Sequence, residues 1–124
     1  MYTYSCATVF SGLGSAASIA LALGDDERAD RWNKAALSLR ETASRKLYDA
    51  SLGRFKRGIG DDTVDSSVFS AWYLGLVKDD DPMAVGTMKS IEKELIRPQG
   101  GVSRYTDDGY QGHMNSWPLC TLWL

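Results

Sequence analysis

An all-α fold built of helical hairpins follows from three features of this sequence. Apolar residues recur every three to four positions in four separate stretches, cap and breaker residues bound those stretches, and charge-poor helices alternate with amphipathic ones. Such alternation is expected of two layers, with inner helices covered on both sides and outer helices wet on one. At 124 residues, 44% hydrophobic and 24% charged, the chain can bury an ordinary apolar core without metal or disulfide staples.

The first helix is expected over about residues 5–23. Val9, Phe10, Leu13, Ala16, Ala17, Ala20 and Leu23 recur through it, and its remaining positions are small Ser, Gly and Ala, so neighbours can pack on every side. Gly24 ends it and Asp25 caps the next. That second helix, about 26–47, carries the stripe Ala29, Trp32, Ala36, Leu39, Ala43 and Leu47, with Asp30, Arg31, Lys34, Arg40 and Glu41 off it. Residues 48–60 read as turns around a short extended piece bearing Phe55 and Ile59. A third helix, about 64–76, follows from Val64, Val68, Ala71, Trp72, Gly75 and Leu76. Asp81 as cap and Pro82 at the first position open a fourth, about 82–96, striped by Val85, Met88, Ile91 and Leu95. Residues 98–116 show no helical period and form one long loop. Ser116 is then placed to cap a last helix over 117–124.

Charge excludes several classes of function. Fourteen Lys and Arg against sixteen Asp and Glu give a net charge of -2, mixed along the chain, which attracts neither nucleic acid nor an anionic membrane. The uncharged run from Met1 to Gly24 lacks a basic leader and is interspersed with Ser and Thr, so a buried helix in a cytoplasmic protein is expected over a signal peptide or membrane span. Cys6 and Cys120 have no metal-ligand spacing between them or with His113, the single histidine, and are expected as buried thiols. No metal or other cofactor is implied.

Three familiar constellations fail on context. Gly12, Gly14 and Ala17 match a degenerate dinucleotide-binding glycine motif, yet residues 25–47, which should hold the second strand, contain no Val, no Ile and one Thr. Those glycines are instead expected to let two helices approach closely. His113 lies in the glycine-rich loop with no orienting acid at a telling distance, so a nucleophile–histidine–acid triad is not supported. Asp61, Asp62 and Asp65, and Asp79 to Asp81, precede helices where capping and the helix dipole explain them.

The informative segment is the loop, where Arg104, Tyr105, Asp107, Asp108 and Tyr110 are followed by Asn115 and Trp117. Sugars are held by such a mixture: flat aromatic faces meet their C–H surfaces while fixed charged or amide groups meet their hydroxyls. A loop pinned to its own scaffold by an Arg–Asp pair and packed aromatics would have the same composition. Both readings stand at this point.

At these residues the sequence resembles the glucoamylase family of glycoside hydrolases, family 15. The family pattern Gly-Arg-Tyr-x-x-Asp-x-Tyr, an Asn-Pro-Trp-like turn and a helix reading Leu-Cys-Thr-Leu are matched by Arg104, Tyr105, Asp108, Tyr110, Asn115, Trp117 and Leu119 to Leu122. Thr3-Tyr4-Ser5 resembles the segment after the family's catalytic acid, and Asp65-Ser66-Ser67 its Asp-Ala-Ser. Around Trp117 the chain departs from the pattern, with Ser116 before it and Pro118 after it.

The resemblance implies part of an (α/α)6 toroid of six helical hairpins and an inverting enzyme that releases glucose from α-glucans. Such chemistry takes a carboxylic acid and a carboxylate base about 6.5 to 9.5 Å apart. Both are glutamates in the family, one in a Trp-Glu-Glu motif upstream of this chain and one downstream, so no catalytic residue is expected among the 124 and the chain alone is expected to be inactive. Arg104 carries over as a sugar-hydroxyl donor, Asp108 as its partner or a second hydroxyl contact, and Tyr105, Tyr110 and Trp117 as walls. The partner implied is an α-linked glucose oligosaccharide or disaccharide, with trehalose or dextran as alternative substrates. A non-catalytic helical carbohydrate-binding or interaction module is the alternative of another class. Twelve helices of ~12 residues with loops of ~5 need about 200 residues, so the chain is expected to be a segment of that domain. Helix faces left uncovered are expected to drive self-association.

Overall fold

The computed structural model describes residues 1–110 and 113–123. It contains helices α1 (Thr3–Ala22), α2 (Asp26–Leu47), α3 (Ser70–Tyr73, entered through a 3-10 turn at Ser66–Phe69), α4 (Pro82–Leu95) and α5 (Pro118–Leu122), with a two-stranded ribbon of β1 (Tyr48–Asp49) and β2 (Arg54–Phe55).

α1 and α2 form a long antiparallel hairpin. Gly24, at φ +76°, breaks α1 while its amide and that of Asp25 return to the carbonyls of Leu21 and Ala20. The Asp25 carboxylate then accepts from the Arg28 amide and starts α2. The contact is made by alanines: Ala7, Ala17 and Ala20 of α1 and Ala29, Ala36 and Ala43 of α2 are all buried. Gly12 and Gly14, expected at a close helix approach, lie elsewhere. A Cβ built on either meets nothing within 4 Å, so neither sits at a close approach.

α1 is only partly covered within this chain. Val9, Ile19 and Leu21 of α1 and Leu23 just after it are exposed. By length and composition alone α1 is apolar enough to cross a membrane.

The ribbon pairs Tyr48 with Phe55 and Asp49 with Arg54. The Phe55 amide donates to Thr87 Oγ1 of α4 at 2.9 Å, and the Gly53 carbonyl rests directly on Gly86, where no side chain fits. Past the ribbon, the Lys56 and Arg57 carbonyls receive the Thr3 hydroxyl and amide, which clasps the start of α1.

The third helical stretch is shorter than the expected 64–76. Val64 and Asp65 are extended because the Thr106 amide donates to the Val64 carbonyl and the Ser66 amide to the Arg104 carbonyl, and Gly75, at φ +77°, ends the helix. Asp65 caps it through the Ser67 amide, and Asp81 caps α4 through the Met83 amide. α5 starts one residue later than expected and ends at Leu122, while Leu124 lies outside the described residues. Its cap position is Trp117, with no side-chain cap, because the Ser116 hydroxyl donates across the loop to the Gly100 carbonyl. Leu47, Phe55, Val68, Leu76, Ile91 and Leu95 form the heart of the core, and Val102 and Cys120 attach the loop and α5 to it.

Candidate functional site

The loop between α4 and α5 is fastened by polar atoms at both ends. Ile96 bridges Val102, Ser103 bridges Ser116, and Tyr105 bridges Asp65. The Ser103 amide donates to the Leu95 carbonyl, its hydroxyl to the Met114 carbonyl, and the Trp117 amide to the Val102 carbonyl. Gly101 is required at its turn: φ is +77°, and a Cβ there would stand 2.8 Å from Cβ of Ser116.

Within this frame the chain doubles back at Asp107 (φ +61°) and Met114 (φ +56°) and folds around Asp108. Arg104 grips that carboxylate with two parallel bonds of 2.6 Å, from Nε to Oδ2 and from Nη2 to Oδ1, while the Tyr110 amide donates to Oδ1. The fork from Arg104 and the Tyr110 amide, opposed by burial, hold the Asp108 carboxyl down at about 2. The same fork raises the Arg104 pKa above its already high value. Asp108 is thus a fixed anion, and it is almost fully buried.

The guanidinium of Arg104 lies over three aromatic rings: Trp117 at 4.3 Å, Tyr110 at 5.1 Å and Tyr105 at 5.3 Å. Tyr110 and Trp117 also meet each other, 5.6 Å between centroids. All five residues singled out in the sequence, Arg104, Tyr105, Asp108, Tyr110 and Trp117, are therefore within one constellation. Of the two roles expected of Asp108, the structure shows the first, partner of Arg104, with the Tyr110 amide also on its carboxylate. The scaffold-pinning reading of the Arg–Asp pair describes part of what it does, since the fork closes the loop.

Around this constellation lie two open depressions that share Asp65, Ser67 and Trp123. One, about 320 Å³, is bordered by Arg104, Tyr105 and Trp117. The other, about 450 Å³, is bordered by Tyr4, Arg57 and Ser67. Arg57 and Asp65 were not singled out for binding by composition. The Arg57 Nε lies 3.1 Å from Asp65 Oδ2 and 3.7 Å from Asp61 Oδ2, and its guanidinium lies 4.7 Å from the Tyr105 ring centre. The Asp65-Ser66-Ser67 motif was the available signal for Asp65; Arg57 had none, because its neighbours come from distant sequence.

The remaining candidates take no part. His113 is exposed in the loop, and Cys6 and Cys120 are buried free thiols, each pKa raised chiefly by burial. Among the described residues no three His, Cys, Asp or Glu side chains gather as a metal site.

The comparisons with known proteins agree with one another. An uncharacterized glycosyl hydrolase of Methanocaldococcus jannaschii is 30% identical over 127 aligned residues, which take in 100% of this chain and 20% of that protein. A trehalase of Thermoplasma volcanium is 28% identical, covering 98% of this chain and 20% of the enzyme. A trehalase of Mycobacterium tuberculosis is also 28% identical, over 99% of this chain and 18% of the enzyme. The crystal structure of a bacterial glucoamylase complexed with acarbose superposes with a TM-score of 0.79 at 22% identity, covering 97% of this chain and 24% of the other, so the helical-hairpin arrangement is that of a glucoamylase. The chain spans about a fifth of the length of these curated relatives. The sequence profile of glycosyl hydrolases family 15 matches residues 2–124, and the chain belongs to that family.

Proposed function

We propose that this chain supplies a sugar-binding wall of a family 15 catalytic domain, for an α-linked glucose disaccharide or oligosaccharide, and that by itself it binds without hydrolysing. One observation carries the reading: a guanidinium locked in place by a buried carboxylate, surrounded by three aromatic rings, borders an open depression. Rigid aromatic faces suit the C–H surface of a pyranose, and a guanidinium donates to its hydroxyls. The names of the trehalase relatives and the acarbose bound to the glucoamylase neighbour support α-linked glucose chemistry, with trehalose foremost among the disaccharides.

The state of the loop carboxylate supports the inactive half of the reading. Glycoside hydrolysis needs one carboxyl kept protonated near neutral pH to serve as general acid. Asp108 is held at about 2, far from the protonated state that role requires. The four glutamates, Glu27, Glu41, Glu92 and Glu94, lie on α2 and α4. The exposed apolar flank of α1 supports self-association of the 124-residue chain through that helix.

Tryptophan fluorescence titration of the chain with trehalose, maltose, isomaltose and acarbose tests the reading. Saturable quenching without glucose release is expected, and Arg104→Ala is expected to abolish the quenching. Absence of binding to any of the four would remove the proposal, and glucose release by protein free of contaminating enzyme would remove its inactive half.

A further inference from the structure

Thr121 borders neither depression, yet its hydroxyl joins the two backbone segments that the Arg104 constellation spans. It accepts from the Val102 amide at 3.0 Å and donates to the Trp117 carbonyl at 2.9 Å. The Trp117 amide in turn donates to the Val102 carbonyl at 2.8 Å. These three bonds close a circuit through Val102, Thr121 and Trp117. Arg104 stands two residues after Val102, and of the three rings around its guanidinium the indole of Trp117 lies nearest, at 4.3 Å. We infer that Thr121 is a positioning residue: without touching a ligand, its hydroxyl holds Trp117 against Arg104 and so sets one wall of the site.

Trp117 needs such a hold. Its indole Nε1 is buried and has no hydrogen-bond partner among the described residues. A buried donor left unpaired is costly, so no polar bond of its own keeps the ring in this orientation. The constraint has to come from the backbone that carries the ring. A helical threonine that bonds only to the carbonyl four residues back acts within its own turn. Here the same oxygen also accepts from Val102, nineteen positions earlier in the chain. Gly101 leaves room for it, since a Cβ there would stand 3.0 Å from Thr121 Oγ1. The other loop hydroxyls act elsewhere: Ser103 donates to the Met114 carbonyl and Ser116 to the Gly100 carbonyl. Thr121 itself is exposed, so a valine in its place opens no hole in the core and removes only the hydroxyl.

The consequence for ligands rests on the sugar-binding reading of Arg104, and the test separates the two. The 124-residue chain is labelled with 5-fluorotryptophan, the Trp117 resonance is assigned by its loss in Trp117→Phe, and Arg104→Ala marks where it falls when the guanidinium contact is gone. In Thr121→Val the resonance is expected to move toward that position, and in Thr121→Ser to return. A loss of stability alone would not move it. Acarbose affinity, by calorimetry, is expected to fall about tenfold in Thr121→Val and to recover in Thr121→Ser. A Trp117 resonance unmoved in folded Thr121→Val, or unrestored by Thr121→Ser, overturns the positioning role, and so does unchanged affinity in a variant of a wild type that binds. A wild type that binds no acarbose removes the sugar reading and leaves the resonance to decide the positioning. If circular dichroism shows Thr121→Val unfolded, amide exchange in the wild type decides: a Val102 amide as protected as that of Trp117 upholds the circuit, and a freely exchanging one overturns it.

Discussion

The α1–α2 hairpin and the loop from Ile96 to Trp117 are held by opposite means. In the hairpin the buried side chains are mostly alanines, Ala7, Ala17 and Ala20 of α1 and Ala29, Ala36 and Ala43 of α2. In the loop Val102 reaches the core, and the position of the rest is set by a carboxylate, a fork of guanidinium bonds and backbone amides placed one by one. Apolar contact is tolerant of small shifts and fixes where helices lie. Charge-assisted hydrogen bonds are directional, and they fix where a few ligand-facing atoms point.

The largest effect that would break this division is on the scaffold side. Replacing a helical glycine by alanine ordinarily stabilises a helix. Gly86 is the exception, because the Gly53 carbonyl occupies the place of the missing Cβ. Gly86→Ala is expected to cost about 1–3 kcal/mol through forced separation of the ribbon from α4. Urea denaturation is the measure, with Phe55 exchange reporting loss of its bond to Thr87. A variant as stable as the wild type would mean that the ribbon is not seated on α4.

An intermediate effect is expected in the loop. Asp108→Asn keeps the shape of the side chain and removes the charge that Arg104 grips. Hydrogen exchange at the Tyr110 and Met114 amides is expected to quicken about tenfold or more, with the α1–α2 hairpin unaffected. Acid should act likewise. The folded carboxyl, at about 2, lies below the ~3.9 of an unfolded Asp, so the fork's contribution is complete above about pH 4 and is lost as pH falls through about 2. Indole fluorescence of the wild type is expected to report that loss, and Asp108→Asn to lack it. Equal acid sensitivity in both would assign the transition to another carboxylate.

What could be read from the sequence divides along the same line. The 3.6-residue period and the stops at Gly24, Asp25, Asp81 and Pro82 are local signals, and the helices lie where those signals put them. The short third helix was not legible, because Val64 and Asp65 are drawn out of it by amides and carbonyls of residues 104–106, some forty positions away. The loop's residue types and the family resemblance indicated which side chains gather, but not that Asp108 would be buried under Arg104. Arg57 was invisible for the same physical reason as the third helix: its partners Asp65 and Tyr105 become neighbours only when the chain folds.

The smallest expected effect separates the covered and open sides of the scaffold itself. Gly14 lies on a flank of α1 with nothing within 4 Å of an added Cβ and no positive φ, so Gly14→Ala removes only the entropy cost of a helical glycine. A gain of about 0.5–1 kcal/mol is expected in dilute solution. Concentration then reveals what covers that flank. If copies of the chain associate through α1, the exposed Leu21, seven residues on and on the same face as Gly14, approaches another surface, and an added methyl group alters the association constant as well as the folding midpoint. Light scattering of the wild type and Gly14→Ala at matched micromolar concentrations is expected to show association in both, with a shifted constant in the variant. Monomers in both would mean that α1 keeps its apolar flank in water, and would remove the self-association proposal while leaving the stability difference as the measure of one uncovered glycine.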